Sequence, residues 1–172
     1  MTGVQTCALP ISSHEEGEAY VEFEGEWQAS EARVEVRVAI GGFDDLFGIA
    51  GHLRYDPEAL QLLDMDSFGV PHGKSKGGFT PRAVAKDSPP GRILLGGARV
   101  PDTVTMQYQP EGAKVTREVW LVAHFRILKA GSHMLQFDPG SLVARGPDGT
   151  DRKASWGQLT ITAASVPADV KP

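Results

Sequence analysis

Apolar and polar residues alternate with a period of two along most of this chain. The clearest run is residues 32–40. There Val34, Val36, Val38 and Ile40 share one face and Arg33, Glu35 and Arg37 the other, the pattern of a half-buried strand. Tyr20-Val21-Glu22-Phe23-Glu24 alternates in the same way. Gly41-Gly42-Phe43-Asp44-Asp45 reads as a turn. Residues 46–55 then resume the period, with Phe47, Ile49, Leu53 and Tyr55 toward a core and Gly48, Ala50, His52 and Arg54 away from it. Asp56-Pro57-Glu58 closes that strand, because proline brings no ladder N–H and restricts the residue before it.

Further strands are predicted at 59–63, 79–87, 92–100, 134–137, 142–144 and 158–163, the third interrupted by Gly96-Gly97 as at a bulge. The longest is 118–128. Its alternation predicts Val119, Leu121, Ala123, Phe125 and Ile127 inside, with Trp120, Val122, His124 and Arg126 outside. Asp138-Pro139-Gly140 and Gly146-Pro147-Asp148-Gly149 mark turns. Nine or ten short strands and no stretch of helical period predict an all-β fold, an antiparallel two-sheet β-sandwich.

At 172 residues the chain has room for one domain with a sizeable core. Its formal net charge of −5 argues against non-specific nucleic-acid binding, since an acidic surface repels phosphate. No apolar run approaches the ~18–20 residues that span a bilayer as a helix. The single cysteine, Cys7, excludes an internal disulfide framework and a CxxC-type zinc site but leaves the compartment open.

The predicted domain covers residues 20–164, after a polar lead at 12–19 and before a tail or linker at 165–172. Residues 1–11 differ in character: they carry no charged side chain, and they lack the basic start and uninterrupted apolar stretch of a signal peptide. The codons act gga gtt cag acg tgt gct ctt ccg atc would encode Thr2 to Ile11, and that string resembles a widely used sequencing-library adapter. These eleven residues are therefore expected to be a translated artefact of metagenomic assembly, poorly packed or only incidentally docked.

Most chemical motifs dissolve on inspection. Gly73-Lys74-Ser75-Lys76-Gly77 matches G-x-S-x-G, but no helix follows to make a nucleophile elbow or a phosphate cradle. Among His14, His52, His72, His124 and His133 there is no HxH or HExxH pair; His52 and His124 would be neighbours only if their strands pair. Asp44-Asp45 and Asp148-Gly149-Thr150-Asp151 do not spell a calcium loop, and leave room only for a peripheral Ca²⁺. No carboxylate pair is marked out as an acid/base couple. No cofactor and no catalytic residue is expected, and an enzyme is the weaker class.

One ordered set of residues is specific. Val34-x-Val36-x-Val38-x-Ile40, then residues 46–62 with Tyr55-Asp56-Pro57 and Leu60-Gln61-Leu62, then Ala123-His124-Phe125-Arg126-Ile127 before Gly131, resembles the cohesin domain family. In that family a V-x-V-x-V strand leads into a strand ending Y-D-P-x-x-L-x-L. Tyr55, Asp56, Pro57 and Leu60 have structural roles in this motif: the Tyr packs at the sandwich end, the Asp bonds turn N–H groups and the Pro stops the ladder. The resemblance implies a nine-stranded jelly roll, export to the cell surface, periplasm or medium, and binding to dockerin modules that assemble polysaccharide-degrading complexes.

The family's partner face is the outward side of the strand before Tyr55, where cellulosomal members usually carry polar residues. Here Gly48 and Ala50 stand in those places, so the partner need not be a dockerin of the usual kind. The resemblance also implies that the long late strand lies beside this one. That predicts a partner-binding face of Gly48, Ala50, His52, Trp120, Val122 and His124, with Trp120 at its centre. The alternatives are a carbohydrate-binding module of the related family 3 fold, drawing on Trp27, Trp120, Trp156 and Tyr108 for polysaccharide contact, and a structural spacer in a surface protein.

Overall fold

The computed structural model describes residues 6–11, 18–28, 32–67, 79–84, 90–99 and 112–166. In chain order the strands are β1 (Thr6–Ile11), β2 (Tyr20–Gln28), β3 (Arg33–Leu46), β4 (Gly48–Arg54), β5 (Leu60–Ser67), β6 (Phe79–Val84), β7 (Arg92–Arg99), β8 (Ala113–Ile127), β9 (Gly131–Phe137), β10 (Val143–Arg145), β11 (Ser155–Trp156) and β12 (Gln158–Ala163). A single 3₁₀ turn, Pro139–Ser141, separates β9 from β10. Among the described residues no helix is long and apolar enough to cross a membrane.

The strands form two sheets. One has the order β1-β12-β9-β4-β7-β6, with β10 also paired to β4; the other has the order β11-β2-β3-β8-β5. Among the described residues every strand pairing is antiparallel except the short β11–β2 contact. The expected two-sheet all-β sandwich is therefore the architecture observed. Between the sheets lies one apolar core. Val34, Val36, Val38, Leu121 and Phe125 enter it from one side, and Ile49, Leu53, Ile93, Leu135 and Ile161 from the other. Each large buried side chain contributes about 1.5–3 kcal/mol relative to exposure.

The expected bulge at Gly96-Gly97 does not form, because β7 pairs with β4 and β6 in unbroken register there. Three further expectations need correction. The stretch Gly41-Gly42-Phe43-Asp44-Asp45 is not a turn: β3 runs through it to Leu46, bending at a register shift between Phe43 and Leu46, with Gly42 at φ 73°. Second, β8 begins at Ala113, earlier than its alternation suggested. The third concerns sheet membership. The long strand β8 lies between β3 and β5, in the sheet opposite β4.

Residues 6–11 pair along the whole of β12, from Thr6 opposite Ala163 to Ile11 opposite Gln158. An exposed sheet edge offers unpaired main-chain groups to any extended segment. Such pairing uses backbone alone, and so does not bear on how these residues came to be encoded. The Gly73–Gly77 motif, His14, His72 and Tyr108 lie outside the described residues.

Candidate functional site

The Tyr55-Asp56-Pro57 turn fixes the end of β4. Tyr55 meets Phe125 edge-on, with ring centroids 5.1 Å apart, and its burial raises the phenol pKa. Asp56 accepts from the Glu58 amide at 2.9 Å through Oδ1, while its carbonyl accepts from Ala59 and Leu60 at 3.1 and 2.8 Å. Leu60 is fully buried. Opposite the turn, Gly91 sits at φ 88°, and a Cβ there would lie 2.7 Å from the Tyr55 carbonyl oxygen. Packing at Tyr55 and Leu60 and hydrogen bonds at Asp56 thus hold the chain as it leaves β4.

Strand β4 runs through its sheet with β7 along one side. Two strands share its other side: β9 meets it at Leu53 and Arg54, and β10 at Gly48 to Ala50. The 3₁₀ turn bridges the gap between them. There the Ser141 hydroxyl accepts from the His52 amide at 2.8 Å, and the Asp138 amide donates to the His52 carbonyl at 2.8 Å. Asp138 also holds the Arg54 guanidinium. The alternation of β4 then places Ile49, Gly51 and Leu53 inward, and Ala50, His52 and Arg54 outward, as expected.

The six residues predicted to share one face are not together. Gly48, Ala50 and His52 lie on the outer side of the seven-stranded sheet. Val122 and His124 lie on the outer side of the five-stranded sheet, at the other surface of the sandwich. Trp120 is on neither: it is fully buried. The cause is a bulge. Val38 pairs with Leu121 but Ala39 pairs with Val119, so Trp120 is the extra residue and turns into the core beside Leu121. Its Nε1 donates to the Gly96 carbonyl of the facing sheet at 3.3 Å, and its ring stacks on Phe137 with centroids 6.4 Å apart.

His124 is held by carboxylates from both neighbouring strands. Its Nδ1 is 2.5 Å from Asp64 Oδ1 and its Nε2 is 3.2 Å from Glu35 Oε2. The Asp64 contact above all raises its pKa over the ordinary imidazole value, against a smaller cost of burial. Burial disfavours the Glu35 carboxylate, yet hydrogen bonds from Arg37 and His124 outweigh it and hold that pKa below normal. The two acidic stretches, Asp44-Asp45 on β3 and residues 148–151, are likewise occupied by arginine. Arg152 reaches Asp45 at 2.9 and 2.5 Å and Asp148 at 3.2 Å, while Arg145 reaches Asp151 at 3.3 Å. Among the described residues no group of three or more His, Cys, Asp or Glu side chains is arranged to hold a metal ion.

What the outer side of the seven-stranded sheet does present was missed in the sequence. Leu94, 39% exposed, and Met134, 46% exposed, are the exposed large hydrophobics among the described residues. Both stand there, Leu94 directly across from His52 and Met134 across from Thr160. The signal was available: in Ile93-Leu94-Leu95 a strand must turn one of three apolar residues outward. Beside Ala50 the surface sinks into a groove of about 430 Å³ lined by Phe47, Gly48, Ile49, Gly97, Val143 and Pro147, among others.

Comparison with solved structures places this architecture. It matches a cohesin module of a family 33 glycoside hydrolase from Clostridium perfringens, with TM-score 0.57 and 12% identity over 84% of this chain and 96% of that one. A cohesin from Clostridium acetobutylicum matches with TM-score 0.56 and 19% identity, covering 78% and 84%. The sixth cohesin of scaffoldin B from Acetivibrio cellulolyticus, solved in complex with a Cel5 dockerin variant, matches with TM-score 0.55 and 16% identity, covering 82% and 96%. No protein-family model matches the chain, and no curated protein matches it in sequence. The chain has the cohesin fold: it is a cohesin-like β-sandwich domain.

Proposed function

We propose that this domain is a non-catalytic protein-binding module, and that its binding surface is the outer side of the seven-stranded sheet centred on β4. The observation that carries this reading is the placement of Leu94 and Met134, both exposed and both on that one side. Exposed apolar residues set among small ones on a flat sheet are what a partner's surface needs to bury. Several neighbours in fold were solved with dockerins bound, which supports a protein of dockerin type as the partner. The setting that follows is assembly of polysaccharide-degrading enzymes outside the cell. The origin of residues 1–11 in a translated adapter, and a domain spanning 20–164, belong to the same proposal.

The carbohydrate-binding alternative loses two of its four aromatics. Trp120 is buried, and Trp156 packs edge-on against Phe137 with centroids 5.0 Å apart. The Trp27 side chain and Tyr108 lie outside the described residues.

The test is calorimetric titration against a panel of dockerin modules, with cellulose and chitin retention in parallel. Leu94→Asp with Met134→Asp is expected to abolish binding, while Val122→Asp on the opposite sheet leaves it intact. Binding lost on Val122→Asp and kept in the double variant would overturn the choice of face. Retention on polysaccharide with no protein partner would overturn the class.

A further inference from the structure

Charge is divided unequally between the two sheets. The strands of the seven-stranded sheet contain five arginines (Arg54, Arg82, Arg92, Arg99 and Arg145) and no aspartate or glutamate. Those of the five-stranded sheet contain nine carboxylates: three on β2, three on β3, two on β5 and one on β8. In a chain of net charge −5 the strands of the first sheet thus hold none of the acidic groups, which reach it only from the turns, at Asp138 and Asp151. Within its outer side Arg54 and Arg92 stand directly opposite each other on β4 and β7. Like charges in that position destabilise a sheet. Asp138, from the turn, compensates Arg54, and Asp151 compensates Arg145, whereas no carboxylate among the described residues pairs with Arg92. At the other end of β4, Arg145 lies opposite Gly48 and lines the apolar groove beside Ala50.

We propose that this face takes an acidic protein partner: an aliphatic side chain seated in the groove beside Ala50, with carboxylates around it meeting Arg54, Arg92 and Arg145. This rests on the same face being the binding surface, and adds the chemistry of what it binds. Two physical terms would act together. The groove supplies apolar burial for one anchor side chain. Arg92 above all, with no carboxylate partner among the described residues, speeds encounter and rejects basic competitors, because complementary potential sets on-rate and specificity. The pairing of Arg54 with Arg92 costs the isolated domain some stability, and an incoming carboxylate between them reverses that cost.

The probes are two synthetic helical peptides with one central leucine, flanked by aspartate and glutamate in the first and by lysine in the second. Each is titrated into the isotope-labelled chain and followed by its amide NMR signals. The acidic peptide should shift the signals of Ala50, Gly96 and Val143, with an affinity that falls as salt rises. Arg92→Glu should weaken it about tenfold or more, since like charges across an interface are strongly disfavoured. The same variant should keep or raise thermal stability by relieving the Arg54 repulsion, so loss of binding cannot be charged to misfolding. Ala50→Gln, which narrows the groove without altering charge, should weaken it as well.

The lysine peptide binding this face as well as the acidic one would overturn the proposed chemistry and leave the face standing. A heparin fragment shifting the same amides as strongly, with leucine dispensable in the peptide, would overturn it too, as the mark of a general polyanion site. If neither peptide shifts these signals while a dockerin module does, the acidic partner falls alone. Signals that move only on the five-stranded sheet would remove both proposals.

Discussion

The indole Nε1 of Trp120 donates a hydrogen bond to the carbonyl of Gly96, 3.3 Å away on the opposite sheet. It is a polar tie across an otherwise apolar core, made by the one residue that a bulge turns inward from β8. The ring behind it stacks on Phe137, which in turn meets Phe23 and Trp156 at centroid distances of 5.4 and 5.0 Å. Gly96 belongs to the strand whose outer side carries Leu94, so the tie anchors the proposed binding surface from behind.

Trp120→Ala should therefore cost about 3–5 kcal/mol of stability, the range for deleting a large buried aromatic. Trp120→Phe should cost less, about 1–2 kcal/mol, for the lost hydrogen bond and the incompletely filled space. Urea denaturation measures both. Two variants as stable as the parent would mean that Trp120 is at the surface, as its position in the alternation first suggested.

Stability should depend on pH through His124. Its pKa is raised by Asp64 and then Glu35, so its contribution is complete below the ordinary imidazole value and disappears as pH rises through the folded-state value. Glu35 acts in the other direction: its lowered pKa gives a contribution present above the ordinary carboxylate value and lost as pH falls through the folded one. The same face also carries Arg33 and Arg37 on β3, Glu26 on β2 directly opposite Glu35, Arg126 on β8 and Asp66 on β5. The cluster is strongest in mildly acidic solution. His124→Gln should cost about 0.5–1 kcal/mol near pH 5.5, as partly exposed ion pairs do, and close to nothing at pH 9. A difference between variant and parent that stays the same across that range would contradict the assignment.

Gly91→Ala should destabilise more than Gly149→Ala. Both positions have positive φ, 88° and 77°, and both substitutions pay the left-handed penalty of about 1–2 kcal/mol. Only at Gly91 does the new methyl also press on the Tyr55 carbonyl and on Pro57 Cδ, at 2.7 and 2.9 Å; at Gly149 no atom of the described residues lies within 4 Å. Thermal unfolding of the two single variants separates these terms. Equal losses would show that the Tyr55–Pro57 turn yields freely to the added methyl.

Strand content and the Tyr55-Asp56-Pro57 turn were legible because both are local: period two needs only alternating residues, and proline ends a ladder wherever it stands. The phase of β8 was not. One extra residue at Trp120 turns that side chain inward, out of step with the alternation, and that bulge is set by pairing with Val38 and Ala39, some eighty positions away in the chain. Which sheet receives β8 is also a matter of tertiary pairing, so the predicted face combined three residues from one surface of the sandwich, two from the other and one from its core. Two-residue β11 carries too short a pattern to be seen at all. Leu94 and Met134 were within reach, since alternation in β7 and β9 sends them outward once Leu95 and Leu135 are taken as core.

Gly96 offers a way to separate folding from binding. It lies inside a strand, where glycine is less favourable than alanine by about 0.5–1 kcal/mol because it loses more freedom on folding. Among the described residues nothing requires it: an added Cβ meets no atom of theirs within 4 Å, and no positive φ is involved. Such a glycine fits a surface that another chain approaches closely. Gly96→Ala should raise stability by about 0.5–1 kcal/mol, with the Trp120 hydrogen bond retained because it uses the main-chain carbonyl. The same methyl, directed outward beside Ala50 and Leu94, should weaken partner binding, and Gly96→Val should weaken it further. Denaturation and titration on the same protein samples measure the two effects side by side. A stabilised variant with undiminished affinity would show that no partner comes close to β7, and would move the binding surface elsewhere.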